Sequence, residues 1–256
     1  MTRSERPRTR LFVDADLASD ASVELAAGQA HHLRSVLRLE SGATVALFNG
    51  RDGEWRGRID AVGKGRCSIA VEARLRPQVA EPDLWLVFAP VKRARIDFVA
   101  EKATELGVAA LLPVITERTV VDRVNTERLR ANAIEAAEQT ERLTVPDVRE
   151  PERLMKLLDA WNPARQIILC DETGTAPPLV EVALRLPPGG PVAVLVGPEG
   201  GFAPGELDAL RKLAFVSAAS LGPRVLRAET AALAALAVVQ ALTGDGRETR
   251  PRQLPD

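Results

Sequence analysis

Val192-Ala193-Val194-Leu195-Val196-Gly197-Pro198-Glu199-Gly200-Gly201-Phe202 decides how this chain is read. Its first five residues form a continuous apolar run rich in β-branched side chains, the pattern of a strand buried on both faces. Gly197-Pro198 ends that strand, because proline has no N–H for the ladder. Gly197, Gly200 and Gly201 permit positive φ or the close approach of a ligand. Loops leaving the carboxyl ends of strands are where α/β sheets bind their ligands.

A second stretch repeats the design about twenty residues later. Residues 215–221 read as a strand, Gly222-Pro223 breaks it, and residues 229–242 read as a helix. One Gly-Pro break is ordinary turn punctuation. Two of them, carrying Glu199, Arg224, Arg227 and Glu229, predict two backbone loops that face one site. Phosphate binding does not explain them: no Lys-Ser or Lys-Thr follows Gly200-Gly201, and GxGxxG is absent, which argues against nucleotide hydrolysis.

Outward from these loops, residues 84–89, 109–115 and 166–170 are further strands of a mostly parallel sheet. Helices fall at 95–106, 126–143 and 204–213. In the first, Ile96, Val99, Ala100, Ala103 and Leu106 form one apolar face, and Gly107 is placed to terminate it. Pro204 and Glu206 suit a helix start, although Ala203 stands where a Ser or Thr cap would be stronger. Helix 229–242 is apolar almost all round and requires burial on more than one side. A dimer interface is a natural way to supply it.

The amino-terminal part is patterned differently. Residues 43–48, 54–60 and 66–73 read as short strands joined at Asn49-Gly50-Arg51-Asp52-Gly53 and Gly63-Lys64-Gly65, with a short helix over 28–37. This spacing predicts a small β-barrel. Period-two alternation puts Trp55, Gly57 and Ile59 on one face and Glu54, Arg56 and Arg58 on the other. The second face is either an RNA platform or ordinary solvated surface. Residues 1–76 hold 13 Lys and Arg against 10 Asp and Glu, while the whole chain carries −1. The arginine-rich start (Arg3, Arg6, Arg8, Arg10) reads either as solvated charge or as an arm for phosphate. The expected organisation is a barrel at 1–76, a proline-bounded linker at 77–82, an α/β domain at 83–243 and a polar tail at 244–256.

Composition bounds the rest. Hydrophobic residues at 46% and charged residues at 27% fit a globular domain, and no apolar run approaches the roughly 18 residues of a spanning helix. The basic start lacks the apolar segment of a signal peptide, so a cytoplasmic location is expected. Cys67 and Cys170 read as reduced thiols, and with His31 and His32 they make no metal-ligand spacing.

VLVGPEGGF and LGPRVLRAETAALAAL, together with HHLRSVLR (31–38), KRARIDFVAEKATELGV (92–108), EAAEQTER (135–142) and LCDE (169–172), resemble the SPOUT methyltransferases. Within them the chain is most similar to the bacterial 16S ribosomal RNA uridine N3-methyltransferases, over residues 10–242. The resemblance implies an amino-terminal PUA-like RNA-binding barrel, a carboxyl-terminal trefoil knot, a homodimer and S-adenosyl-L-methionine held by three loops. On the matching positions those loops contain Leu169, Asp171 and Glu172; Leu195, Val196, Gly197, Pro198, Gly200 and Gly201; and Leu221, Gly222, Arg224, Val225 and Leu226. His31, Arg34, Arg38, Arg56, Arg58, Lys92 and Arg142 are the RNA-facing candidates, with 16S rRNA or the small ribosomal subunit as partner and no membrane.

Methylation at uracil N3 requires a base held outside its stack, loss of a weakly acidic proton and a nucleophile aimed at the methyl carbon. Arg227 is the candidate for stabilising charge on the base, and Glu229 or Glu199 the candidate proton acceptor. Capping by Glu229 and pairing of Arg227 with a carboxylate are the structural alternatives. A related SPOUT enzyme acting on another base or on ribose, and a non-catalytic assembly factor, are the competing functions.

Overall fold

The computed structural model describes residues 7–62, 66–121 and 123–248. Gly63-Lys64-Gly65, Arg3, Arg6 and the end of the polar tail from residue 249 lie outside them. The chain divides into two compact units, Met1–Ala80 with Ala137–Val145, and Glu81–Ala136 with Pro146–Asp256.

In the first unit, β1 (Arg10–Phe12), β2 (Ser22–Glu24), α1 (Ala27–His31), β3 (Thr44–Phe48), β4 (Glu54–Val62) and β5 (Cys67–Arg76) follow in order. The strands form one sheet in the order β1-β3-β4-β5-β2, antiparallel except for β1 on β3. Leu33, Val45, Leu47, Ile59 and Ile69 are fully buried in its core. The expected helix over 28–37 is α1 followed by one turn of π-helix, His32–Val36, and Arg38 then takes a φ of +54°.

The alternation along β4 holds for Ile59, which is buried, and Arg58, which is exposed, but not for Glu54. The pairing of β4 with β5 slips between Glu54 and Trp55, and Glu54 is only 7% exposed. Its carboxylate accepts from Arg10 Nε and Arg76 Nε, each at 2.6 Å. Burial alone would raise its pKa, but these two guanidinium partners outweigh it and hold the group below the usual glutamate range. Arg10 also donates to the carbonyls of Ala137, Glu138 and Arg142 and lies 4.5 Å over the Phe48 ring. Residues 137–145 thus belong to the amino-terminal unit through hydrogen bonds and through Phe48, Ala137 and Leu143, which pack together.

The second unit contains β6 (Leu84–Phe88), α2 (Arg93–Glu105), β7 (Ala110–Ile115), α3 (Thr126–Gln139, its last turn counted with the first unit), β8 (Asp147–Val148), β9 (Glu152–Arg153), α4 (Leu154–Asp159), β10 (Gln166–Cys170), α5 (Leu179–Ala183), β11 (Val192–Val196), α6 (Pro204–Arg211), β12 (Val216–Ala219) and α7 (Ala228–Thr243). Its sheet runs β12-β10-β11-β6-β7-β8 with every pairing parallel. Leu86, Ile168 and Val194 face α2, α5 and α7 on one side. Leu112, Leu169 and Leu195 face α4 and α6 on the other. Helices on both faces explain why these strands are apolar without alternation.

α7 buries Ala231, Ala232, Ala235, Leu236 and Val239, whereas Ala237 and Ala241 are exposed and Leu233, Ala234 and Val238 half-buried. At the start of α6, Ala203 has no capping side chain. Glu206 makes the other half of a capping box by taking the N–H of Ala203 at 3.1 Å, and its other oxygen takes the N–H of Glu117 at 2.9 Å.

Candidate active site

β10 lies between β11 and β12, and all three run the same way. Their carboxyl ends therefore release three loops side by side, and these loops enclose a cavity of about 420 Å³. From the β10 loop, Asp171 and Glu172 line it. Val196, Gly197, Pro198, Glu199 and Gly201 line it from the β11 loop. Leu221, Gly222, Arg224, Val225, Leu226 and Arg227 line it from the segment between β12 and α7.

Four of the expected site residues stand elsewhere. Leu169 and Leu195 are fully buried on the opposite side of the sheet, because each immediately precedes a strand residue, Cys170 or Val196, that points toward the cavity. Gly200 is off the cavity wall, and its carbonyl accepts from Arg118 Nη1 at 2.9 Å. Glu229, in the first turn of α7, is also off the wall.

Two glycines of the β11 loop are sterically required. A Cβ at Gly197 would come within 2.8 Å of the Phe202 ring. Gly201 has a φ of +67°, and a Cβ there would collide with the Glu172 carboxylate. The β10 loop is held by Asp171, whose side chain is 1% exposed and accepts from Arg211 Nη2 at 2.6 Å and from the N–H of Thr173 at 2.8 Å. Burial opposes its charge, but Arg211 and Thr173 prevail and keep it below the usual aspartate range. Burial pushes the Cys170 thiol up to about 12, so it is a neutral wall group.

The charged groups at the cavity fall into two kinds. Arg224 and Arg227 are exposed cavity residues whose guanidinium groups have no hydrogen bond or ion pair among the described residues. Pairing of Arg227 with a carboxylate is therefore not observed. Glu199 and Glu229 share Arg95 of α2, with Nη1 at 3.9 Å from Glu199 Oε1 and Nε at 3.4 Å from Glu229 Oε1. Arg95, Arg118 and Arg211 were not singled out by sequence. The available signal for Arg95 was its place in KRAR, three residues after the chosen Lys92.

The RNA-facing candidates also divide. His31, Arg34 and Arg38 are exposed on the first unit, and His31 Nδ1 lies 3.3 Å from Ser35 Oγ. Arg56 and Arg58 are tied to the two oxygens of Glu72, at 2.7 and 2.6 Å. Arg142 is only 8% exposed and donates to Thr144 Oγ1 at 3.0 Å, so its side chain serves the packing of residues 137–145. Lys92 is exposed at the start of α2.

Residues 79–240 match the RNA methyltransferase domain model, and residues 25–72 match the RNA methyltransferase PUA domain model. The ribosomal RNA small subunit methyltransferase E of Rickettsia conorii is 33% identical over 91% of this chain and 95% of its own length. The chain belongs to the ribosomal RNA small subunit methyltransferase E family. Among that family's solved structures, the Neisseria gonorrhoeae member bound to S-adenosyl methionine superposes with a TM-score of 0.83 at 30% identity, covering 93% of this chain and 98% of that one. The Bacillus subtilis member is 27% identical over 82% of this chain and 86% of its own length. As a member of this family the protein is an RNA methyltransferase, with a PUA domain before its catalytic domain. No helix among the described residues is long and apolar enough to cross a membrane.

Proposed function

We propose that the chain transfers a methyl group from S-adenosyl-L-methionine to N3 of a uridine in 16S rRNA, acting as a cytoplasmic homodimer with a knotted carboxyl-terminal chain. One observation carries the chemistry: the cavity formed by three strand-end loops is lined by both Glu199, from the β11 loop, and Arg227, from the segment before α7. The cavity fits the cofactor. Its volume of about 420 Å³ is within the range of roughly 300–1,000 Å³ usual for small-molecule sites. Val196, Leu221, Leu226 and Phe202 give it apolar walls. Gly197 and Gly201 let Phe202 and Glu172 pack closely against the β11 loop that lines it. When bound, the cofactor supplies an electrophilic methyl carbon on a sulfonium.

The protein's own part is to hold the base and move its proton. Arg227, free of protein carboxylates, can donate to a uracil carbonyl oxygen and stabilise the imide charge that develops on loss of the N3 proton. A nearby carboxylate accepts that proton as the N3 lone pair bonds to the methyl carbon, and the carbon–sulfur bond breaks with its electron pair left on sulfur. His31, Arg34, Arg38 and Lys92, all exposed, supply cations for RNA phosphates. The half-covered apolar surface of α7 supports the homodimer, since Ala237 and Ala241 are exposed among the described residues.

The test uses small ribosomal subunits lacking native methylation, labelled S-adenosylmethionine and nucleoside mass spectrometry. Label appearing as 3-methyluridine at one position is the expected result. Label on another base or on ribose would reassign the target. Absence of label with RNA binding intact would point to an assembly factor without catalysis.

A further inference from the structure

The two candidate proton acceptors are held by one arginine, and they occupy different environments. Glu199 lines the cavity, and its side chain is 44% exposed. Glu229 is absent from the wall, and its side chain is 11% exposed. Arg95 reaches between them from α2, closer to Glu229 at 3.4 Å than to Glu199 at 3.9 Å. The second oxygen of Glu229, Oε2, is buried without a hydrogen-bond partner among the described residues.

A guanidinium offers five N–H donors in a planar fork, enough to engage both oxygens of one carboxylate. Here the fork is spread over two carboxylates and closes on neither. A buried carboxylate oxygen without a donor is costly. Any loss of negative charge at Glu199 therefore favours movement of Arg95 onto Glu229, where Oε2 gains its donor.

We propose that Glu199 takes the N3 proton, and that Arg95 and Glu229 are positioning residues that set its readiness to do so, with Arg95 passing from Glu199 to Glu229 as Glu199 is neutralised. This rests on the methyl-transfer reading above. Before transfer, Arg95 stands between Glu199 and Glu229. The proton leaves N3 for a Glu199 oxygen, the fork closes on Glu229, and that new pairing offsets part of the cost of protonating Glu199. Other charged groups bear on Glu199. Arg224 and Arg227 line the same cavity from the segment before α7, and Glu172 lines it from the β10 loop. Arg118 is held at the carbonyl of Gly200. These groups stay constant when Arg95 and Glu229 are varied.

The arrangement predicts pH effects of opposite sign. Arg95→Gln removes the cation that faces Glu199, so the acid limb of the kcat profile moves up. In Glu229→Gln the arginine has no competing carboxylate and pairs more fully with Glu199. The acid limb then moves down, and kcat falls less than in Glu199→Gln. Arg95→Lys keeps a cation without the fork and restores part of the acid-limb position. Calorimetry should show cofactor affinity within about twofold of wild type in Arg95→Gln, Arg95→Lys and Glu229→Gln, since neither Arg95 nor Glu229 lines the cavity.

A readout independent of turnover is the 15Nε–Hε signal of Arg95, assigned by its loss in Arg95→Lys. Glu199→Gln should protect it from solvent exchange, and Glu229→Gln should expose it. The proposal is overturned if Glu229→Gln loses as much kcat as Glu199→Gln, if Arg95→Gln and Glu229→Gln move the acid limb in the same direction, or if the Nε signal is indifferent to both carboxylates. If the Nε signal responds as expected but the wild-type protein transfers no methyl group, the sharing of Arg95 stands and it is the methyl-transfer reading that fails.

Discussion

The arginines of the first unit's sheet and those of the second unit's cavity share a side chain but not a situation. Arg10 and Arg76 converge on the buried Glu54, and Arg56 and Arg58 on Glu72, so four guanidinium groups of that sheet are committed to carboxylates, while Arg74 of β5 is exposed. Arg224 and Arg227 have no such partner among the described residues and stand at a cavity. The difference shows that availability is not set by the number of basic residues. It is set by which of them already have a carboxylate, and it separates arginines that hold the protein together from arginines left for a ligand.

The comparison breaks most visibly at Glu54. Replacing it with Ala leaves Arg10 and Arg76 without their shared anion in a largely buried site, and urea denaturation should show a loss of about 3–5 kcal/mol. The pH dependence follows in sign. Because the folded-state pKa of Glu54 is lowered, its contribution is present above the unfolded value and is lost as pH falls through the folded one. Wild type should therefore lose stability in acid more steeply than Glu54→Gln.

Arg227 tests the opposite side. Arg227→Ala should leave the denaturation midpoint and cofactor affinity nearly unchanged but lower kcat by about 10²–10³-fold, measured by methyl incorporation under saturating substrates. An equal loss of stability would place Arg227 with the structural arginines. Between these extremes, Gly201→Val puts a β-branched residue at a φ of +67° against Glu172. A strain of roughly 1–3 kcal/mol should weaken cofactor binding by about tenfold or more, read by calorimetry.

The smallest effect is expected at Glu72. Its removal frees Arg56 and Arg58, so RNA affinity should rise by less than about 1 kcal/mol. The slope of log affinity against log salt should steepen by about 0.7 for each arginine that then meets a phosphate of single-stranded RNA. An unchanged slope would mean that this face does not meet RNA.

The parallel sheet and the placement of its strand-end loops were legible in sequence, because apolar runs ended at Gly197-Pro198 and Gly222-Pro223. The faces of those strands were not. A strand buried on both sides carries no alternation, so nothing in 166–170 or 192–196 tells Leu169 and Leu195 from the cavity-side Cys170 and Val196. β1 and β2, three residues each, are too short to show a period. Arg95 and Arg118 lie about 80 residues or more before the groups they serve, so spacing along the chain could not connect them. Arg142 looked like one charge among several on a helix, and only the return of residues 137–145 to the first unit explains its burial.

That return also bears on protein synthesis. The acceptors for Arg10 at Ala137, Glu138 and Arg142 come more than 120 residues after it. The amino-terminal unit therefore cannot be completed as it leaves the ribosome. Its sheet must wait, with Arg10 and Phe48 uncovered, until translation has passed residue 145. A gene fragment ending at residue 80 would encode every strand of that sheet and still lack the segment that packs on Phe48 and accepts from Arg10.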